Sequence, residues 1–202
     1  MKRYIKSGIQ FDSDNQQYTF DFTMDLPDDI IDIVPPKLYR SSVRNSVYWF
    51  GYLFKDTASS KQRSDFIHAI KGIGNSKIAD HELRQFIELP LGELDKQFGM
   101  YNIDCLVYPI SNRSKLVNKI ISVINSYTSH DKHSASYQLV KSIPTKIESQ
   151  DQFDSYARAQ GQNILVVDDI NTSGSTLDEI IRVLNRVNRN ANIFVFTLIG
   201  NM

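Results

Sequence analysis

The side chains best placed to do chemistry lie together in Ile164-Leu165-Val166-Val167-Asp168-Asp169-Ile170-Asn171-Thr172-Ser173-Gly174-Ser175-Thr176. Four apolar residues read as the end of a buried strand, and two carboxylates follow at once. Adjacent carboxylates are costly to hold close unless they meet hydroxyls, cations or water. Thr172, Ser173, Ser175 and Thr176 then offer hydroxyls and successive backbone N–H groups around Gly174. The glycine lets the loop curl into the N-terminus of the helix expected from Thr176. Free N–H groups and the helix dipole converge there on one anion. Carboxylates for sugar hydroxyls beside a cradle for a sugar phosphate describe a ribose 5-phosphate site. The rival is a purely structural turn, since Ser and Thr are also ordinary helix caps.

Other acid-ended strands fit less well. A nucleotide hydrolase needs a Gly-rich loop closing in Gly-Lys-Ser or Gly-Lys-Thr, and the chain contains neither. An Asp-x-Asp phosphatase requires an acid two residues after Asp168, where Ile170 stands.

The elements that must position this turn are legible on either side of it. Ile103 to Pro109 reads as a buried strand, followed by a helix with Leu116, Val117, Ile120, Ile121 and Ile124 inward. Ser136 to Ile143 reads as a second strand, and Asn163 to Val167 as a short apolar one. The helix from Thr176 carries the stripe Leu177, Ile180, Ile181, Leu184 and Val187. Asn192 to Ile199 closes as a strand. Continuously apolar strands alternating with amphipathic helices predict an α/β fold, a Rossmann-like parallel sheet covered on both faces. Ligands in such sheets bind beyond the carboxyl ends of the strands, where Asp168 and Asp169 fall.

Upstream, Tyr4 to Phe11 and Tyr18 to Leu26 predict a hairpin, and Pro35-Pro36 then breaks the chain. A mostly helical region is expected next, over the aromatic-rich Ser42 to Lys55, then Ser60 to Lys71, then Lys77 to Leu89. The expected division is an N-terminal hairpin plus helical region over 1–100 and a core over 101–202.

Composition narrows the class. A 41% apolar content builds an ordinary core, and 23 basic against 23 acidic residues leave no global field for nucleic acid or an anionic membrane. The single cysteine, Cys105, excludes an intrachain disulfide and suits a reducing compartment. The N-terminus has charge but no apolar run behind it, and no stretch reaches the roughly 18 apolar residues of a membrane span. The expectation is a soluble cytoplasmic protein.

Asp168-Asp169-x-x-Thr172-Ser173-Gly174-Ser175-Thr176 resembles the phosphoribosyl-pyrophosphate-binding signature of type I phosphoribosyltransferases, with weaker similarity over roughly 102–202. The resemblance implies that Asp168 and Asp169 bond the ribose 2′- and 3′-hydroxyls. It implies that Thr172, Ser173, Gly174, Ser175 and Thr176 hold the 5′-phosphate. The family's pyrophosphate loop would correspond to Ser111, Asn112 and Arg113, although this stretch lacks the usual glycine. Its mobile loop would correspond to Pro144 to Gln160, with Lys141, Lys146 and Arg158 as candidate catalytic cations. Mg²⁺ would arrive with the pyrophosphate, and no protein metal ligand is assigned. The implied activity is transfer of ribose 5-phosphate from phosphoribosyl pyrophosphate to a nitrogenous base; the alternative is a non-catalytic sensor of the same ligand or a nucleotide that regulates a partner. A homodimer is compatible with the resemblance.

Two departures matter. Members that use 6-oxopurines commonly carry an acid four residues after the first motif acid, where this chain has Thr172, so such an acceptor is disfavoured. Little sequence follows the last strand, so the hood over the acceptor is expected from residues 1–100, packed over the carboxyl edge of the sheet. The remaining features read as structural: His130 and His133 as a solvated loop, Cys105 as a small buried hydrophobe, and Tyr48, Trp49, Phe50, Tyr52 and Phe54 as core.

Overall fold

The computed structural model describes residues 9–12, 17–20, 33–34, 39–43, 46–54, 58–73, 78–110, 115–127, 135–140 and 161–200, with side chains over 47–54, 58–73, 78–109, 115–127 and 161–200. The expected hairpin is present: β1 (Ile9–Asp12) pairs antiparallel with β2 (Gln17–Phe20).

Short strands β3 (Ile33–Val34) and β4 (Tyr39–Val43) both run antiparallel to β5 (Ser46–Phe54). They share its outer edge, and Pro35-Pro36 falls between them in sequence.

The helical expectation for 42–55 is corrected here, because Ser46–Phe54 is a strand. Tyr48 and Phe50 pack on one face of the sheet, and Trp49 and Tyr52 on the other. A run buried on both faces is apolar throughout, and periodicity cannot separate it from a buried helix. Its short length and aromatic content were the signals for a strand.

Helix α1 (Ser60–Lys71) and helix α2 (Asp80–Phe98) follow. The sequence predicts a helix end near Leu89, but α2 runs through Pro90 for two more turns. Continuing buries Leu91 and Leu94 completely, which offsets the hydrogen bond that proline removes. A 3-10 turn (Met100–Asn102) leads to β6 (Cys105–Ile110), α3 (Leu116–Tyr127), β7 (Ala135–Val140), β8 (Asn163–Asn171), α4 (Ser175–Val187) and β9 (Asn192–Gly200).

The sheet order is β7-β6-β8-β9-β5, and each neighbouring pair is parallel. The α/β expectation with a parallel sheet holds. Strand β5, from within 1–100, is hydrogen-bonded to β9, so the sheet draws on both parts of the chain. Phe66, Phe86, Leu91 and Leu94 of α1 and α2 bury against one face together with Ile120 and Ile124 of α3. Leu177, Ile180, Ile181 and Leu184 of α4 bury against the other. The inward stripes of α3 and α4 are those the sequence predicted. No helix among the described residues is long and apolar enough to cross a membrane.

Candidate functional site

Strands β6 and β8 are clamped together at their amino ends. Asp104 accepts N–H hydrogen bonds from Gln162 and Asn163, both 2.9 Å, and its own N–H donates to the Asn163 carbonyl. Their carboxyl ends part. Pairing of β6 with β8 runs from Cys105↔Ile164 to Val107↔Val166. Beyond that row β6 stays with β7 to Ile110↔Val140, and β8 stays with β9 to Asn171↔Gly200. Pro109, two residues past the last β6–β8 pair, has no N–H for a longer ladder.

The parting coincides with the reversal of chain direction across the sheet. From β6 the chain steps outward to β7; from β8 it steps the other way to β9. Open parallel sheets place their ligands at such a switch point.

Strand β8 carries the candidate acids into this opening. The sequence suggested a turn directly after Val167, but the strand continues through Asn171 because β9 is equally long and pairs with it throughout. Asp168 and Asp169 therefore occupy successive strand positions, whose side chains alternate between faces. Asp168 shares parity with Ile164 and Val166, which face α4; Asp169 shares parity with Leu165 and Val167, which face α1–α3. The Asp168 carboxylate bends back to accept the Asp169 N–H at 2.8 Å. Asp169 is nearly buried, and its Oδ2 lies 3.0 Å from Lys71 Nζ.

Thr172 and Ser173 are exposed in the loop, and Gly174 opens α4. Gly174 has φ +74°, a left-handed conformation that side chains disfavour. Its carbonyl accepts the Asp178 N–H at 2.8 Å. Ser173 and Ser175 hydroxyls lie 3.0 Å apart, so the two side chains gather on the loop. The first-turn N–H groups of a helix have no carbonyl partner within it; here the Ser175 N–H donates weakly to Ser173 Oγ at 3.5 Å, and Gly174 has no side chain to accept another. The loop thus supplies hydroxyls and a helix N-terminus beside the two carboxylates.

Of the candidate residues, the structure brings Asp168, Asp169, Thr172, Ser173, Gly174, Ser175 and Thr176 to one end of the sheet. Ser111, Asn112, Arg113, Lys141, Lys146 and Arg158 lie outside the described residues, as do His130 and His133. Among the described residues no three His, Cys, Asp or Glu side chains converge as a metal cage. Sequence reasoning missed Lys71. It ends a helix almost one hundred positions from Asp169, and no local pattern marks that contact.

No protein family model matches the chain, and no curated protein matches it. Among solved structures the chain is similar to the xanthine-guanine-hypoxanthine phosphoribosyltransferase of Helicobacter pylori. The two are 19% identical over 59% of this chain and 72% of that one, with a TM-score of 0.42. It is also similar to a hypoxanthine phosphoribosyltransferase from Staphylococcus aureus, 17% identical over 58% of this chain and 64% of that one, with a TM-score of 0.39.

Proposed function

We propose that the parting of β6 and β8 binds phosphoribosyl pyrophosphate and that the protein transfers its ribose 5-phosphate to a nitrogenous base. The observation that carries this reading is the placement of both acids near the carboxyl end of β8, which ends at Asn171 ahead of the Gly174 loop and the start of α4. Asp168 and Asp169 accept hydrogen bonds from the ribose hydroxyls. Thr172 to Thr176 bind the 5′-phosphate through hydroxyls and N–H groups. In this reading a sugar bonded to both acids lies at the open edge that β6 vacates.

In the reaction a base nitrogen attacks ribose C1′ as the C1′–O bond to pyrophosphate breaks, and the electron pair leaves with pyrophosphate. No protein nucleophile is required. The protein aligns the two reactants and stabilises the departing charge. In the proposal Ser111, Asn112 and Arg113 hold pyrophosphate, and one of Lys141, Lys146 and Arg158 closes over it. Mg²⁺ bound with the substrate pyrophosphate would supply further charge neutralisation.

The test is pyrophosphate release with Mg²⁺, phosphoribosyl pyrophosphate and a panel of purines, pyrimidines and pyridine carboxylates. Release that depends on one base supports the transferase and identifies its acceptor. Binding of phosphoribosyl pyrophosphate without release across the panel supports the sensor reading instead.

A further inference from the structure

Lys71 belongs to none of the signature residues, yet its ammonium meets Asp169 at 3.0 Å. Its position is fixed at both ends of α1. At the start, Ser59 Oγ accepts the Gln62 N–H and Gln62 Oε1 accepts the Ser59 N–H, a reciprocal capping box. At the finish, Gly72 takes φ +66°, its N–H donates to the Ala69 carbonyl, and the Ile73 N–H donates to the His68 carbonyl. That paired closure is a Schellman motif, and it leaves Lys71 as the last helical residue. Between the caps, Phe66 and Ile70 anchor the helix to the core, with Phe66 set edge-on to Phe86.

The side chain of Lys71 is 22% exposed and that of Asp169 is 7% exposed. An isolated carboxylate at that burial is unfavourable, and the ammonium 3.0 Å away stabilises it. The surroundings sharpen the need. Asp168 is the preceding residue, and Asp178 is the acid in the first turn of α4.

We propose that Lys71 is a positioning residue for the ligand. It holds Asp169 as an oriented acceptor for a ribose hydroxyl. The inference rests on the reading of Asp169 as a ribose-binding residue. It assigns to α1, outside the signature, a part in recognising the sugar.

The experiment is calorimetric titration of phosphoribosyl pyrophosphate with Mg²⁺ into wild type, Lys71→Met, Lys71→Arg, Asp169→Asn and the double variant Lys71→Met/Asp169→Asn. Lys71→Met is expected to weaken binding by about tenfold, the scale of one charge-assisted hydrogen bond. Lys71→Arg recovers most of that loss. In the Asp169→Asn background Lys71→Met has no further effect, because the residue it acts through is already neutral. Inorganic pyrophosphate, which has no ribose, binds wild type and Lys71→Met equally. Lys71→Gln replaces the Met variant if the latter does not fold.

Unchanged affinity in Lys71→Met, additive losses in the double variant, or an equal loss for pyrophosphate each overturns the inference while the proposed function stands. Absence of binding by wild type overturns both.

Discussion

Thr197 of β9 lies opposite Asp168 of β8 in the parallel register, and its fully buried Oγ1 has no hydrogen-bond partner among the described residues. Phe50 of β5 occupies the same row on the other side. A hydroxyl is therefore sealed within the sheet, one strand away from a carboxylate of the candidate site. A buried donor without a partner costs about 1–3 kcal/mol.

Thr197→Val should accordingly stabilise the protein by about 1 kcal/mol, since it replaces the unpaired hydroxyl with a methyl of similar shape. Urea unfolding followed by circular dichroism measures this as a rise in midpoint at constant slope. A lower midpoint would show that the hydroxyl is satisfied in solution.

Gly174 tests the loop. A Cβ there would meet Asn171 Oδ1 at 3.7 Å, an ordinary contact, so space within the protein is not limiting. The left-handed φ is. Gly174→Ala should cost about 1 kcal/mol in stability. Gly174→Val should cost more and abolish phosphate binding, because its branched side chain resists positive φ and projects into the cradle. Affinity for phosphoribosyl pyrophosphate equal to wild type in the valine variant would place the phosphate elsewhere.

Cys105 on β6 gives a pH-dependent prediction. Burial, with a smaller contribution from the negative charge of Asp104, pushes its thiol up to about 12. In the unfolded chain the thiol ionises near about 8.5. Across that window the unfolded chain releases a proton that the folded one keeps, so the thiol's contribution to stability declines as pH rises from the lower value towards the higher. At pH 8.5 iodoacetamide should alkylate Cys105 readily in urea and scarcely at all in the native protein. Rapid native labelling would contradict the burial of β6.

The parts of this architecture written in local sequence were legible before the structure. Leu116 to Ile124 and Leu177 to Leu184 are stripes with helical period, and each buries the face it advertises. The run Ile164 to Val167 needed two covered faces, and it has them. What failed was settled by distant partners. Ser46–Phe54 is a strand because β9 pairs with it from the far end of the chain. Asp168 and Asp169 stay in a strand, not a turn, because β9 continues beside them. Lys71 reaches Asp169 through the packing of α1 on the sheet, which no spacing encodes.

The most direct measurement is the titration of phosphoribosyl pyrophosphate with Mg²⁺ into wild type and into Asp168→Asn, followed by calorimetry. Saturable binding is predicted for wild type, weakened in Asp168→Asn by roughly 1–3 kcal/mol, because a neutral amide accepts a sugar hydroxyl less strongly than a carboxylate does. No heat of binding by wild type at millimolar ligand, or equal affinity in the variant, would contradict the account.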